Sequence, residues 1–147
     1  MRFRTPRAHT RRKSACLQAL RPTRTGTFRA EPAHMSMGPC AALLDRVGGD
    51  EQIFVDLCDA FLDDAPKRLE SIRNAILTGD ARTVQREAHA YKGSAGAFDA
   101  HDVVAAAREL EHGAAAGNLA EAHDVWVRLE LHSRQLLEAV RIGKERG

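Results

Sequence analysis

From Pro39 onward the apolar residues recur in steps of three and four, the spacing that lays one stripe along an α-helix. A short helix is predicted over Cys40 to Val47, stopped by Gly48-Gly49, with Asp50 as the N-cap of the next. That next stripe takes in Ile53, Phe54, Leu57, Cys58, Phe61, Leu62, Ala65, Leu69, Ile72 and Ile76. Pro66 interrupts it. A proline has no N–H to donate, so a kink or a restart after Asp63-Asp64 is expected. Gly79-Asp80 closes this element and caps a third, Ala81 to Phe98, whose stripe is Val84, Ala88, Tyr91, Ala95 and Phe98. A fourth covers His101 to Ala116 with Val103, Ala107, Leu110 and Ala114 inward. Gly117-Asn118 then separates it from a last helix, Leu119 to Ile142, whose inward residues are Ala122, Val125, Trp126, Leu129, Leu136 and Val140. Trp126 is expected as a core anchor with its N–H on a partner. No stretch alternates with period two, so no strand is predicted. The expected fold is all-α: an antiparallel up-and-down four-helix bundle, its helices joined by turns of two to four residues, with a short additional N-terminal helix.

Charge divides the chain differently. Residues 1–34 hold nine Lys and Arg against the single acid Glu31, whereas the remainder holds more acids than bases, although the net charge is only +2. Pro6, Pro22 and Pro32 break any helix that might start in the arm, and few large apolar residues are present to fold it. Residues 1–36 are therefore expected to be a disordered basic arm preceding a domain at 39–143. Three roles compete for it: a polyanion contact, a transit peptide, or untranslated sequence upstream of a start at Met35 or Met37. It lacks the apolar core of a secretory signal. No apolar run approaches the roughly 20 residues of a membrane span, which points to a cytoplasmic protein. Cys16, Cys40 and Cys58 are widely spaced, with no CxxC or metal-ligand pattern, and are expected as reduced thiols, Cys58 filling core space.

Candidate chemistry lies in the third helix. His89 follows the core residue Ala88 by one position, which turns it about 100° out of the stripe. Lys92, Gly93 and Gly96 lie three, four and seven residues further on and share its side. Each glycine lowers helix stability by roughly 0.8–1 kcal/mol relative to alanine. Three causes are open: close approach of a partner beside His89, packing of a neighbouring helix, or an end to the helix near Gly93. Imidazole is a neutral nucleophile at physiological pH, and a lysine one turn away suits the charge of a transferred phosphoryl group. No Ser/His/Asp or Cys/His constellation, P-loop or GxGxxG is present, so a phosphoryl group must come from another protein. His101, His112, His123 and His132 are too dispersed to hold one metal ion, and no metal site is expected.

The segment His89-Ala90-Tyr91-Lys92-Gly93-Ser94-Ala95-Gly96, followed by Ala100, resembles the signature H-x-x-K-G-[SA]-[SA]-G-x-x-x-A of histidine-containing phosphotransfer (HPt) domains. The resemblance extends over about Ala41 to Val140, including Leu43-Leu44-Asp45-Arg46, Gly49-Asp50 and Phe61-Leu62-Asp63-Asp64-Ala65-Pro66. It implies a four-helix bundle with His89 as exposed phosphoacceptor and Lys92 as the phosphate's neighbour. It also implies Glu111, on the following helix, as partner of the other ring nitrogen. Gly93, Gly96 and Gln85 are assigned to partner docking. Asp99 stands where many relatives carry glycine, and Tyr91 replaces the usual leucine.

The resemblance further implies a phosphohistidine intermediate that takes a phosphoryl group from the aspartate of one receiver domain and passes it to another. The expected partners are response-regulator receiver domains or a hybrid sensor histidine kinase, with Mg²⁺ supplied through the receiver and no cofactor bound by this chain. A monomer is expected, with no nucleic acid or membrane partner. The alternative is an HPt-like adaptor that binds a receiver without carrying phosphate. A nucleic-acid-binding protein led by the arm is disfavoured by the acidic domain. A kinase dimerisation domain is disfavoured by the lack of an ATP-binding domain and of an H-E-x-x-x-P box.

Overall fold

The computed structural model describes residues 38–146; the basic arm expected over residues 1–36 lies outside them. The described chain is helical throughout. A short helix, α1, spans 38–46. Four longer ones follow: α2 (Glu51–Thr78), α3 (Ala81–Gly96), α4 (His101–Ala115) and α5 (Ala122–Arg146). Each long helix packs on two others, in the closed order α2, α3, α4, α5 and back to α2. Antiparallel neighbours are tied by Arg68–Glu87 between α2 and α3, Arg128–Glu109 between α5 and α4, and Lys144–Asp59 between α5 and α2.

Local chemistry sets the boundaries. The Asp50 carboxylate accepts from the Ile53 N–H at 3.0 Å, and Asp80 accepts from the Thr83 N–H at 3.1 Å and from the Thr83 hydroxyl at 2.6 Å. Such caps each contribute roughly 0.5–2 kcal/mol. Gly79 ends α2 with φ +75°, a left-handed conformation that glycine adopts without strain. The connection from α4 to α5 is longer than expected, covering residues 116–121, because Ala122 rather than Leu119 opens the last helix.

The core is the expected stripes with three corrections. α2 runs through Pro66 as one helix and does not restart after Asp64. Ala65 and Leu69, buried on either side of the proline, hold the helix in register while one carbonyl goes without its helical donor. Ile53 and Leu57 are exposed. The buried line passes through Phe54, Cys58 and Phe61, and Ile53 and Leu57 each precede that line by one position, about 100° around the helix. Trp126 is only half-buried, at the edge of the core. Its ring lies under the Arg73 guanidinium, 5.9 Å from the ring centroid, and its indole N–H has no partner among the described residues. The stripes of α3 and α4 are buried in full. Cys58 fills core space as expected, and Cys40 and Cys58 are both free and buried.

Tyr91 is fully buried and stacks on Phe61, with ring centroids 6.2 Å apart and planes 8° from parallel. Burial pushes its hydroxyl pKa up to about 12, opposed by the nearby Ser133 hydroxyl. Neither hydroxyl completes a hydrogen bond in the described structure. Asp99 adopts φ +52°, the left-handed conformation that glycine would take most easily. Its carboxylate accepts from Arg46 Nη2 at 2.6 Å, while Arg46 Nη1 donates to the Gly96 carbonyl at 3.0 Å. α1 thereby clasps the α3–α4 turn through one guanidinium.

Candidate functional site

The buried stripe of α3 faces the bundle, which leaves His89 turned outward with 68% of its side chain exposed. Glu111 projects from α4, the next helix in the ring, and its two oxygens are divided between two α3 groups. Oε1 lies 2.6 Å from His89 Nδ1, and Oε2 accepts from Lys92 Nζ at 2.5 Å. Lys92 and Glu111 are much less exposed than the imidazole, at 25% and 15%. The three residues predicted for the reacting group are therefore brought together.

Glu111 is the electrostatic centre of the arrangement. The hydrogen bond from Lys92, and after it the one from His89, hold its carboxyl below the usual carboxylate range. An ionised carboxylate only accepts, so His89 Nδ1 must carry the proton of this bond. In the neutral ring the lone pair then resides on Nε2, the nitrogen that Glu111 does not engage.

Gly93 is exposed and Gly96 half-buried, and a Cβ built on either meets no atom within 4 Å. Neither glycine makes room for a neighbouring helix, and α3 continues past Gly93 to Gly96. Both glycines thus leave open space beside His89, and Gly96 is also the last residue of α3. Ser94 is half-buried and donates back to the Ala90 carbonyl at 3.3 Å.

On the N-terminal side of His89 an open cleft is lined by Arg82, Gln85, Arg86, His89 and Glu111. Gln85, assigned from the sequence to partner docking, lines this cleft together with the imidazole. The two arginines were not anticipated. Their signal was present, since they precede His89 by seven and three residues and so share its face. Arg86 pairs with Glu87 at 3.0 Å, and Glu87 also accepts from Arg68 of α2 at 3.1 Å.

Among the described residues no group of three or more His, Cys, Asp and Glu is placed to hold a metal ion, and no helix is long and apolar enough to cross a membrane. His101, His112 and His123 are exposed, and His132 is half-buried.

The sequence matches the family described as Hpt domain over residues 56–142. The fold is similar to the crystal structure of histidine-containing phosphotransfer protein B from Pseudomonas aeruginosa PAO1. That likeness has a TM-score of 0.68 and 25% sequence identity, and it covers 73% of this chain and 93% of the other. No curated protein sequence matches the chain.

Proposed function

The chain belongs to the Hpt domain family, and from that premise we propose that it carries a phosphoryl group on His89 Nε2 between receiver domains of a phosphorelay. Histidine phosphotransfer is the activity of the family. The assignment to this residue and this nitrogen rests on one observation: Glu111 occupies Nδ1 and leaves an exposed Nε2 lone pair on the same face as the open glycines.

A receiver's phospho-aspartate would approach over Gly93 and Gly96, where no side chain obstructs it. As the P–O bond to the aspartate breaks, the P–Nε2 bond forms, and the imidazole gains positive charge. Glu111 then stabilises the cation through the Nδ1 proton, which stays on the ring throughout. Lys92 stands one turn away, bonded to Glu111, beside a group that would carry a charge of about −2. Positioning and electrostatics carry such a transfer, since the leaving carboxylate already suits it. In this reading Mg²⁺ belongs to the receiver, where it would neutralise the moving phosphoryl oxygens. The protein is then a carrier without an ATP site, acting as a monomer in the cytoplasm, with receiver domains or a hybrid histidine kinase as partners.

The test is phosphotransfer from a panel of phosphorylated receiver domains with Mg²⁺, using the wild type and His89→Gln. Acid-labile, alkali-stable label is expected on the wild type and none on the variant, with equal helicity by circular dichroism. Receivers that bind the wild type without labelling it would make the protein an adaptor instead.

A further inference from the structure

Three cations flank His89 on α3: Lys92 three residues after it, Arg86 three before and Arg82 seven before. They differ in what already neutralises them. Lys92 is bonded to Glu111, so the pair presents a dipole rather than a net charge to anything that approaches. Arg82 forms no ion pair among the described residues. Arg86 shares Glu87 with Arg68, so it can swing away without leaving that largely buried carboxylate unpaired. Both arginines line the cleft that the imidazole borders, and among the described residues the only carboxylate lining it is Glu111, already engaged twice.

Resting on the carrier reading, we infer that Arg82 and Arg86, rather than Lys92, supply the positive charge that receives the phosphoryl group at His89. Guanidinium groups suit the task, because their planar N–H pairs match two oxygens of one phosphoryl group. A phosphoryl group on Nε2 would draw Arg86 from Glu87 and Arg82 from solvent. Lys92 would stay on Glu111 and help keep that carboxylate ionised for the Nδ1 proton.

The inference is testable without a cognate partner, using phosphoramidate as a small phosphoryl donor and the full chain. In that reaction the P–N bond of the donor breaks and the P–Nε2 bond forms. The zwitterionic donor's nitrogen leaves as neutral ammonia, and the Nδ1 proton remains on the ring. The labelling rate and the phosphorus NMR resonance of the product would be measured for the wild type, R82Q/R86Q, R82K/R86K and R134Q. Arg134 serves as control, being exposed on α5 and paired with Glu130.

The glutamine pair should label about tenfold more slowly, the scale set by two partly screened charge contacts, and lose most of the wild type's dependence on sodium chloride. The lysine pair should recover much of the rate, and R134Q should match the wild type. Phosphohistidine resonances of the glutamine pair should also be displaced. Equal rates and equal salt dependence for the wild type and R82Q/R86Q would overturn the inference and leave the carrier reading standing. Absence of label on wild-type His89 would bring down both.

Discussion

The two halves of the bundle are packed from different materials. α2 and α5 bury large side chains, among them Phe54, Phe61, Leu69, Ile72, Leu129 and Leu136. α3 and α4 bury alanine repeatedly, at Ala88, Ala95, Ala106, Ala107 and Ala114, and they make the most extensive helix–helix contact in the molecule. Interaxial distance follows the size of the residues at the contact. Slim helices approach closely, and only across a short gap can one carboxylate on α4 serve both His89 and Lys92 on α3. The first half supplies most of the large apolar burial and the second half supplies proximity.

The contrast can be broken from either side. Leu129→Ala deletes a fully buried side chain of the first half and should lower the unfolding free energy by roughly 2–5 kcal/mol in urea titrations. The folded fraction should still be labelled at His89 as fast as the wild type. Ala107→Leu overpacks the second half and should lower stability by about 1–3 kcal/mol. Its signature is different, because α3 and α4 are pushed apart: the His89–Glu111 bond should be lost, as a change in the imidazole proton resonances by NMR. If Ala107→Leu left that bond intact, slimness at this interface would not be what sets the site.

Subtler changes sharpen the comparison. The Glu111 carboxyl is held low in the folded protein, so its contribution to stability is present above the ordinary carboxylate pKa. That contribution disappears as the pH falls through the lowered value. Glu111→Gln should therefore be less stable than the wild type at neutral pH, and the two stability curves should converge on acidification. Parallel curves over the whole acid limb would deny Glu111 this role. Tyr91→Phe, where the halves meet, removes a buried hydroxyl that completes no hydrogen bond. It should be neutral or stabilising by up to about 1 kcal/mol, measured by thermal unfolding with phosphotransfer unchanged.

How much of this was legible in the sequence follows from the range of each interaction. The five helices, their glycine stops and the Asp50 and Asp80 caps depend on neighbours within four residues, and local periodicity reveals them. The grouping of His89 with Lys92, Gly93 and Gly96 is likewise a matter of one helix face. Ile53 and Leu57 misled because apolar pairs at adjacent positions leave the centre of a stripe ambiguous, and only packing against α3 and α5 resolves it. Trp126 misled because size suggests burial, whereas its place at the α2 edge is set by Arg73 on another helix. Glu111 came from the family resemblance alone, and the sharing of Glu87 by Arg68 and Arg86 was not foreseen at all. The Arg68–Glu87 and His89–Glu111 contacts join residues 19 and 22 apart, so they depend on the register between helices, which no periodicity encodes.

The empty space over Gly93 and Gly96 has a consequence for how this chain changes over generations. A methyl group would fit at either position, and at Gly93, inside α3, it would favour the helix by roughly 0.8–1 kcal/mol. A copy released from its partners would drift toward alanine there and become more stable as it did so. On the proposed reading, glycine at both sites is a record of use, kept by the receiver that lands on that surface rather than by the bundle beneath it.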